Sequence, residues 1–326
     1  MPGEGERSRP IGGEQRGPRR HRYPVTIVTT PFEPPLALAR GTVDRADHLR
    51  RDTEWLATRW KDPATRVLTV SDGAVLVEGD PPALVLLPAT DLRDVEPQSR
   101  WFLGLDTDGT ALFAVPGALD DGARRVNLRA VGALLDDRDS GLMTTAVALE
   151  AWHTSHTHCA RCGAPTSIGE AGMVRICPVD ESLHHPRVDP AVIMTIVDDD
   201  DRVLLGHQTR WPAQRFSTLA GFVEPGESLE QAVAREVREE TGVVVDAATY
   251  VGSQPWPFPS SLMVGFHAHA STTRISVDEV EISDARWFSR DELATAVTTD
   301  QVRLPPRLSI ARRLIERWHG APLETT

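Results

Sequence analysis

Between Leu229 and Thr241 the chain carries a pattern that suits an amphipathic α-helix and little else. Leu229, Val233 and Val237 recur every four residues and make one apolar stripe, the spacing of a buried helical face. Ser228 stands where an N-cap belongs, Gln231 three residues on matches a capping box, and Gly242 supplies the C-terminal stop. Glu236, Glu239 and Glu240 fall at i, i+3 and i+4, so their carboxylates project from neighbouring positions on one face. Three acids near a helix C-terminus repel one another and oppose the macrodipole. Stability alone gives no reason for that cost. Two readings follow. One is a solvated acidic face with Arg235 and Arg238 as partners. The other is a site for Mg²⁺ or Mn²⁺, hard ions that prefer carboxylate oxygen and keep waters for a phosphate substrate.

The rest of the chain sets bounds on what this helix can belong to. At about 100–200 residues per domain, 326 residues give two or three domains. Hydrophobic and charged fractions of 40% and 25% are those of a globular protein and exclude collagen, coiled coil and wholesale disorder. The net charge of −12 argues against a passive grip on nucleic acid or anionic membrane. The longest apolar run, Ala191 to Val197, is of strand length, far below the ~18–20 residues of a membrane span, so no membrane partner is expected. Three cysteines make a disulfide framework implausible and fit a reducing, cytoplasmic setting. Residues 1–22 are rich in Gly and Arg, lack an apolar core and read as a disordered tail rather than a secretory signal. Residues 23–153 read as a small α+β domain without a catalytic motif. It has helical periodicity from Leu38 to Trp60, hairpin grammar around Ser71-Asp72-Gly73 and Gly79-Asp80-Pro81, and helices at Arg129–Leu135 and Thr144–Thr154. A cysteine knuckle over 154–187, a catalytic α/β region over 188–320 and a tail at 321–326 complete the expected organisation. Within the catalytic region, strands are expected at Ala191–Val197, Arg202–Gly206, Ala248–Val251 and Leu262–Ala268, and a last helix at Arg307–Trp318.

The loop before the helix narrows the choice between the two readings. Gly221, Glu227 and the run Arg235-Glu236-Val237-Arg238-Glu239-Glu240-Thr241-Gly242-Val243 resemble the Nudix box over 23 positions without a departure. The resemblance implies an α/β/α sandwich in which Glu236 and Glu240 ligate divalent cations and Glu239 is a ligand or close partner. It also implies a Glu227–Arg235 salt bridge that steadies the loop, tight turns at Gly221 and Gly226, and a metal contact from the Ala220 carbonyl. A further acid from a later loop is expected at Glu281, within Asp278-Glu279-Val280-Glu281. In such a site the cations neutralise charge on a diphosphate and lower the pKa of water, while a carboxylate takes or orients the proton.

Downstream, Ser253-Gln254-Pro255-Trp256-Pro257-Phe258-Pro259-Ser260-Ser261 alternates prolines with aromatics, which stiffens the backbone and pre-places the rings. By itself this is either a surface loop with both rings tucked into the core or a ligand platform. It resembles the SQPWPFPxS array of NADH pyrophosphatases of the NudC type, where it shapes the dinucleotide pocket. That implies ring stacking on Trp256 or Phe258 and polar service from Gln254, Ser260 and Ser261. Cys159-x-x-Cys162 and Cys177 resemble the zinc ribbon of the same subfamily, a structural Zn²⁺ site. The fourth cysteine of that pattern is replaced by Asp180, so the fourth ligand is Asp180, His184 or His185, or the site binds weakly or stays empty. A thioredoxin-like reading of Cys159 and Cys162 lacks its βαβ setting. In the linker, His185 stands where the subfamily often places a pocket aromatic, and Ala311 matches a substrate-facing alanine of the last helix.

Together these resemblances imply metal-dependent hydrolysis of NADH or NAD⁺ to nicotinamide mononucleotide and AMP, removal of NAD caps from RNA 5′ ends, and a homodimer. The alternatives are a Nudix hydrolase of the ADP-ribose type and a non-catalytic nucleotide-binding regulator of the same fold.

Overall fold

The computed structural model describes residues 32–119, 124–277 and 279–324. The tail at 1–22, residues 23–31 of the connector and the last two residues lie outside them. Strands β1 (Arg66–Val70), β2 (Ala74–Glu78), β3 (Ala83–Leu84), β4 (Leu86–Pro88), β5 (Trp101–Leu105), β6 (Ala111–Pro116) and β7 (Arg124–Asn127) form the first region. Helices α1 (Thr53–Trp60), α2 (Leu128–Val131) and α3 (Asp137–Ser155) accompany them. One sheet has the order β4-β1-β6-β5 and a second the order β3-β2-β7. Within the first sheet, β1 and β6 run parallel and their neighbours antiparallel. Strand β1 is buried on both faces: Leu68 and Val70 pack in the cluster that includes Leu142, Met143 and Ala146 of α3, and Val67 packs with Trp60 of α1.

The knuckle is a small meander of β8 (Ser167–Gly169), β9 (Val174–Ile176) and β10 (Leu183–His184). The last region holds β11 (Asp189–Val197), β12 (Val203–Gln208), β13 (Leu219–Phe222), α4 (Leu229–Thr241), β14 (Val245–Trp256), β15 (Ser261–Ala270), β16 (Ile282–Phe288), α5 (Arg290–Thr298) and α6 (Ile310–His319). Its sheet has the order β14-β15-β11-β12-β16, with β13 added on β11. The apolar run of β11 divides by alternation. Val192, Met194 and Ile196 pack with Val233 and Val237 of α4, whereas Ile193 packs with Ile310, Ala311 and Leu314 of α6. The sheet is therefore held between two helices, an α/β/α sandwich preceded by the knuckle and a smaller α+β region.

Four expectations need correction. Residues 38–60 do not form one helix: only Thr53–Trp60 is α-helical, after short 3₁₀ turns at Ala37–Ala39 and Asp47–Leu49. Asp44 instead exchanges backbone hydrogen bonds with Leu105 at 3.0 and 2.8 Å, adding to the sheet edge. Gly41 lies against Gly141 of α3, where a Cβ on Gly141 would come within 2.6 Å of its Cα. Helix α3 starts earlier than its apolar pattern suggests, at Asp137, because the Asp136 carboxylate accepts the Asp139 N–H. Strand β14 runs through the proline-rich array to Trp256, in register with β15. Helix α6 begins at Ile310 rather than Arg307, capped by the Ser309 hydroxyl after two prolines.

Candidate active site

Helix α4 forms for the reasons its sequence gives. Both hydrogen bonds of the capping box are present at Ser228 and Gln231, and Gly242 ends the helix at φ 70°. The preceding β13 lies antiparallel to β11, with Gly221 opposite Val192 and Ala220 opposite Ile193. Gly221 sits at a close approach: a methyl there would overlap the Glu236 carboxyl and push it aside. The strand thus brings its backbone against that carboxylate, and Ala220 into the same cavity as Glu240.

Arg235 organises the acids. Its Nε donates to Glu227 Oε2 at 3.0 Å and its Nη2 to Glu227 Oε1 at 2.5 Å, a bidentate pair. Nη2 also donates to the Phe222 carbonyl at 2.9 Å, and the Glu224 N–H donates to Glu227 at 2.7 Å, which closes the loop. Nη1 donates to Glu236 at 2.8 Å and to Glu239 at 3.0 Å. One guanidinium thus holds three carboxylates. The contact with Arg235 keeps the Glu227 carboxyl below its usual range. Burial pushes Glu236 up, against the pull of Arg235 and with added repulsion from Glu239 and Glu281. Glu281 precedes β16 and is exposed, and that repulsion places its charge within range of Glu236. Glu239 is exposed, while Glu240 is 4% exposed and faces the cavity.

That cavity has a volume of about 190 Å³. Ala220, Glu240, Trp256, Ala311, Arg129 and Arg215 are among the residues around it. Trp256 also borders a second cavity of about 580 Å³, as do Pro255, Pro257, Ser260 and Ser261. Trp256 and Phe258 stand edge to face with centroids 5.0 Å apart, and the following Phe258–Pro259 bond is cis. The Ser260 hydroxyl donates to Asp189 at 2.7 Å.

Gln254 is the correction among the proposed substrate residues. It is fully buried, its amide donates to the Leu308 carbonyl at 2.9 Å and its oxygen accepts the Ile310 N–H at 2.8 Å. Both ends are committed to the start of α6, so Gln254 positions Ala311 rather than touching a ligand. His185 is exposed and borders neither cavity. No motif in the sequence marks Arg129. It reaches in from α2 of the first region, its guanidinium 3.9 Å from the Phe258 centroid and 5.2 Å from that of Trp256.

In the knuckle, ligand atoms of Cys159, Cys162, Cys177 and Asp180 lie within 4.8 Å of one another. Three thiols and a carboxylate at this spacing suit tetrahedral zinc. Asp180, rather than either histidine, completes the group; His184 sits behind it, 3.1 Å from the Ser182 hydroxyl that donates to Asp180 at 2.5 Å. The Ser182 hydroxyl and backbone amides bring the Cys159 thiol down to about 6, and burial pushes Cys177 up to about 11. No other His, Cys, Asp or Glu group is drawn together as tightly among the described residues. On α4 the acids are instead gathered on Arg235.

Comparison with known proteins follows the same three regions. A family described as the NUDIX domain matches residues 187–308, the NADH pyrophosphatase-like rudimentary NUDIX domain matches residues 64–152, and the NADH pyrophosphatase zinc ribbon domain matches residues 154–184. The NAD-capped RNA hydrolase NudC of Mycobacterium bovis is 43% identical over 297 residues, covering 86% of this chain and 94% of that protein. The NAD-capped RNA hydrolase NUDT12 of Homo sapiens is 36% identical over 334 residues, covering 86% of this chain and 72% of that protein. Among solved structures, a NUDIX hydrolase from Nitrosomonas europaea is 22% identical with a TM-score of 0.40, over 51% of this chain and 94% of that one.

Proposed function

The chain belongs to the Nudix hydrolases, in the branch that joins a NUDIX domain to a zinc ribbon and an NADH pyrophosphatase-like domain; from that premise we propose that it hydrolyses the diphosphate linkage of NADH or NAD⁺ to nicotinamide mononucleotide and AMP, and removes NAD caps from RNA 5′ ends. The observation that carries the reading is a shared cavity. Glu240, an acid suited to hard cations, and Ala220 line the same space as the aromatic Trp256 and as Ala311. At about 190 Å³ that space is smaller than the ~300–1,000 Å³ of ordinary ligand pockets, so a dinucleotide extends beyond it along Trp256.

In this reading Glu236 and Glu240 would hold Mg²⁺ or Mn²⁺ with the Ala220 carbonyl, and Glu281 would add a ligand from its loop. Ions held there would supply charge neutralisation on the diphosphate and a more acidic water. Glu239, exposed beside them, receives or orients the proton. Arg235 and Glu227 fix the loop so that α4 and β13 keep their spacing. Trp256 and Phe258 provide the stacking faces, with Arg129 against them, and Ser260 and Ser261 lie at the turn that presents both rings. Zinc at Cys159, Cys162, Cys177 and Asp180 is structural, since its thiolates suit a soft ion and stand in a separate region. The grouped thiols favour a reducing compartment such as the cytoplasm, and a homodimer completes the proposal.

Incubation with NADH, ADP-ribose and nucleoside triphosphates, each with Mg²⁺ or Mn²⁺, and chromatography of the products tests the assignment. Preferred conversion of NADH to the two mononucleotides is expected. Preference for ADP-ribose removes the substrate claim, and binding of NADH without products indicates a regulator.

A further inference from the structure

The residues assigned so far leave Arg215 without a task, yet it borders the same cavity as Ala220 and Glu240. Its backbone is fixed from two sides. Gln214 before it takes a left-handed φ of 70°, and the Arg303 N–H donates to the Gln214 carbonyl at 2.7 Å. Phe216 after it donates to the Arg303 carbonyl at 3.1 Å, and His207 Nδ1 donates to the carbonyl of Arg215 itself at 2.8 Å. The loop is therefore held by main-chain atoms, which leaves the side chain available for something else. The guanidinium lies over the Trp211 ring, 4.8 Å from its centroid, and Trp211 borders the cavity too.

Other arginines of this region are neutralised within the protein: Arg235 pairs with Glu227 and Arg303 with Asp300, both at 2.5 Å. Arg215 and Arg129 differ. Each stacks on aromatic rings and makes no ion pair among the described residues. They are also close enough to sense each other, since Arg215 adds to burial in holding Arg129 below the usual arginine range. Two cations on one cavity wall are relieved by an anion between them, and the acid in the same space, Glu240, is the one assigned to divalent cations. A guanidinium over a ring face makes no use of its N–H donors there, and its planar fork matches phosphate oxygens.

We propose that Arg215 is a substrate-binding residue whose guanidinium, laid on Trp211 and facing the cavity with Arg129, takes a non-bridging oxygen of the substrate's diphosphate. This rests on the dinucleotide reading above. Arg215→Gln and Arg215→Lys test it through two readouts: calorimetric affinity for α,β-methylene-ADP, a diphosphate probe that needs no turnover, and kcat and KM for NADH and for an NAD-capped oligoribonucleotide. Arg215→Gln is expected to weaken α,β-methylene-ADP and raise both KM values about tenfold, with kcat within about twofold, and Arg215→Lys to fall between. Affinity within about twofold of the parent in a variant of unchanged melting temperature overturns the proposal. So does a loss confined to the capped RNA, which would move Arg215 to the RNA chain. If the parent hydrolyses no NADH while Arg215→Gln still loses α,β-methylene-ADP, the dinucleotide reading fails and the phosphate contact stands.

Discussion

Helices α3 and α4 occupy similar settings and use their acids differently. Each packs on a sheet with a central parallel strand pair, β1 with β6 in one region and β11 with β15 in the other. On α3 two acids serve the backbone, although Asp139 also meets Arg138 at 2.9 Å and Asp137 pairs with Arg40 at 3.1 Å. Asp139 is fully buried and accepts the Leu84 N–H at 2.8 Å, and Glu150 accepts the Asp72 and Gly73 N–H groups at 2.8 and 2.7 Å. On α4 one guanidinium gathers Glu236 and Glu239 together with Glu227 from the loop. A carboxylate bound to main-chain amides is spent on holding a turn. Glu236 and Glu239 are held by a side chain instead. In the function proposed above, that difference separates the region matching the rudimentary NUDIX domain from the region that holds the cations.

The comparison can be broken at either end. The largest effect is expected at Glu240→Gln, which should lower turnover about 10³-fold while far-UV circular dichroism and melting temperature hold, because the change removes charge and little volume. A near-normal rate would remove Glu240 from the site. Gly221→Ala comes next. The added methyl overlaps the Glu236 carboxyl, so turnover should fall about 10²-fold with weaker Mn²⁺ binding, measured by titration. Unchanged Mn²⁺ affinity would mean that Glu236 is not where the cations bind.

Acid stability should report on the first region. His153 is buried with its Nε2–H donating to the Gly172 carbonyl at 2.9 Å and its Nδ1 accepting from Arg175 at 3.2 Å, so both nitrogens are used by the neutral ring. Burial, aided by Arg175, lowers its pKa to about 4. Between that value and the ordinary ~6.5 the unfolded chain binds the proton more tightly, so stability falls as pH drops through this window, by up to about 3 kcal/mol. Denaturant melts at pH 7 and pH 4.5 should show this loss, and His153→Asn should shrink the difference. An equal pH dependence in the variant would assign the loss elsewhere. The smallest effect is expected at Glu150→Gln, about 1 kcal/mol of stability with turnover unchanged. A collapse of activity there would contradict the contrast between the two helices.

Much of α4 was legible in the sequence because its determinants are local: cap, stripe, stop and acids all lie within one helix. The knuckle was legible for the same reason, although the choice of Asp180 over His184 and His185 came only with the structure. What failed was long-range. Gln254 reads as a polar ligand in a binding array, yet its partners are backbone atoms some 54 and 56 residues further on. Arg129 carries no motif, since its meaning comes from Phe258, which the fold brings to it across two regions. The stretch before α1 has helical spacing but is drawn to the edge at Leu105 by pairing that periodicity does not encode.

The central claim is that α4 binds divalent cations against a diphosphate. A crystal grown with Mn²⁺ and α,β-methylene-ADP, read by Mn anomalous scattering, tests it most directly. The account predicts ions about 2.0–2.3 Å from carboxylate oxygens of Glu236 and Glu240, bridged to the diphosphate. Ions bound elsewhere, or a diphosphate seated away from those two side chains, would contradict it.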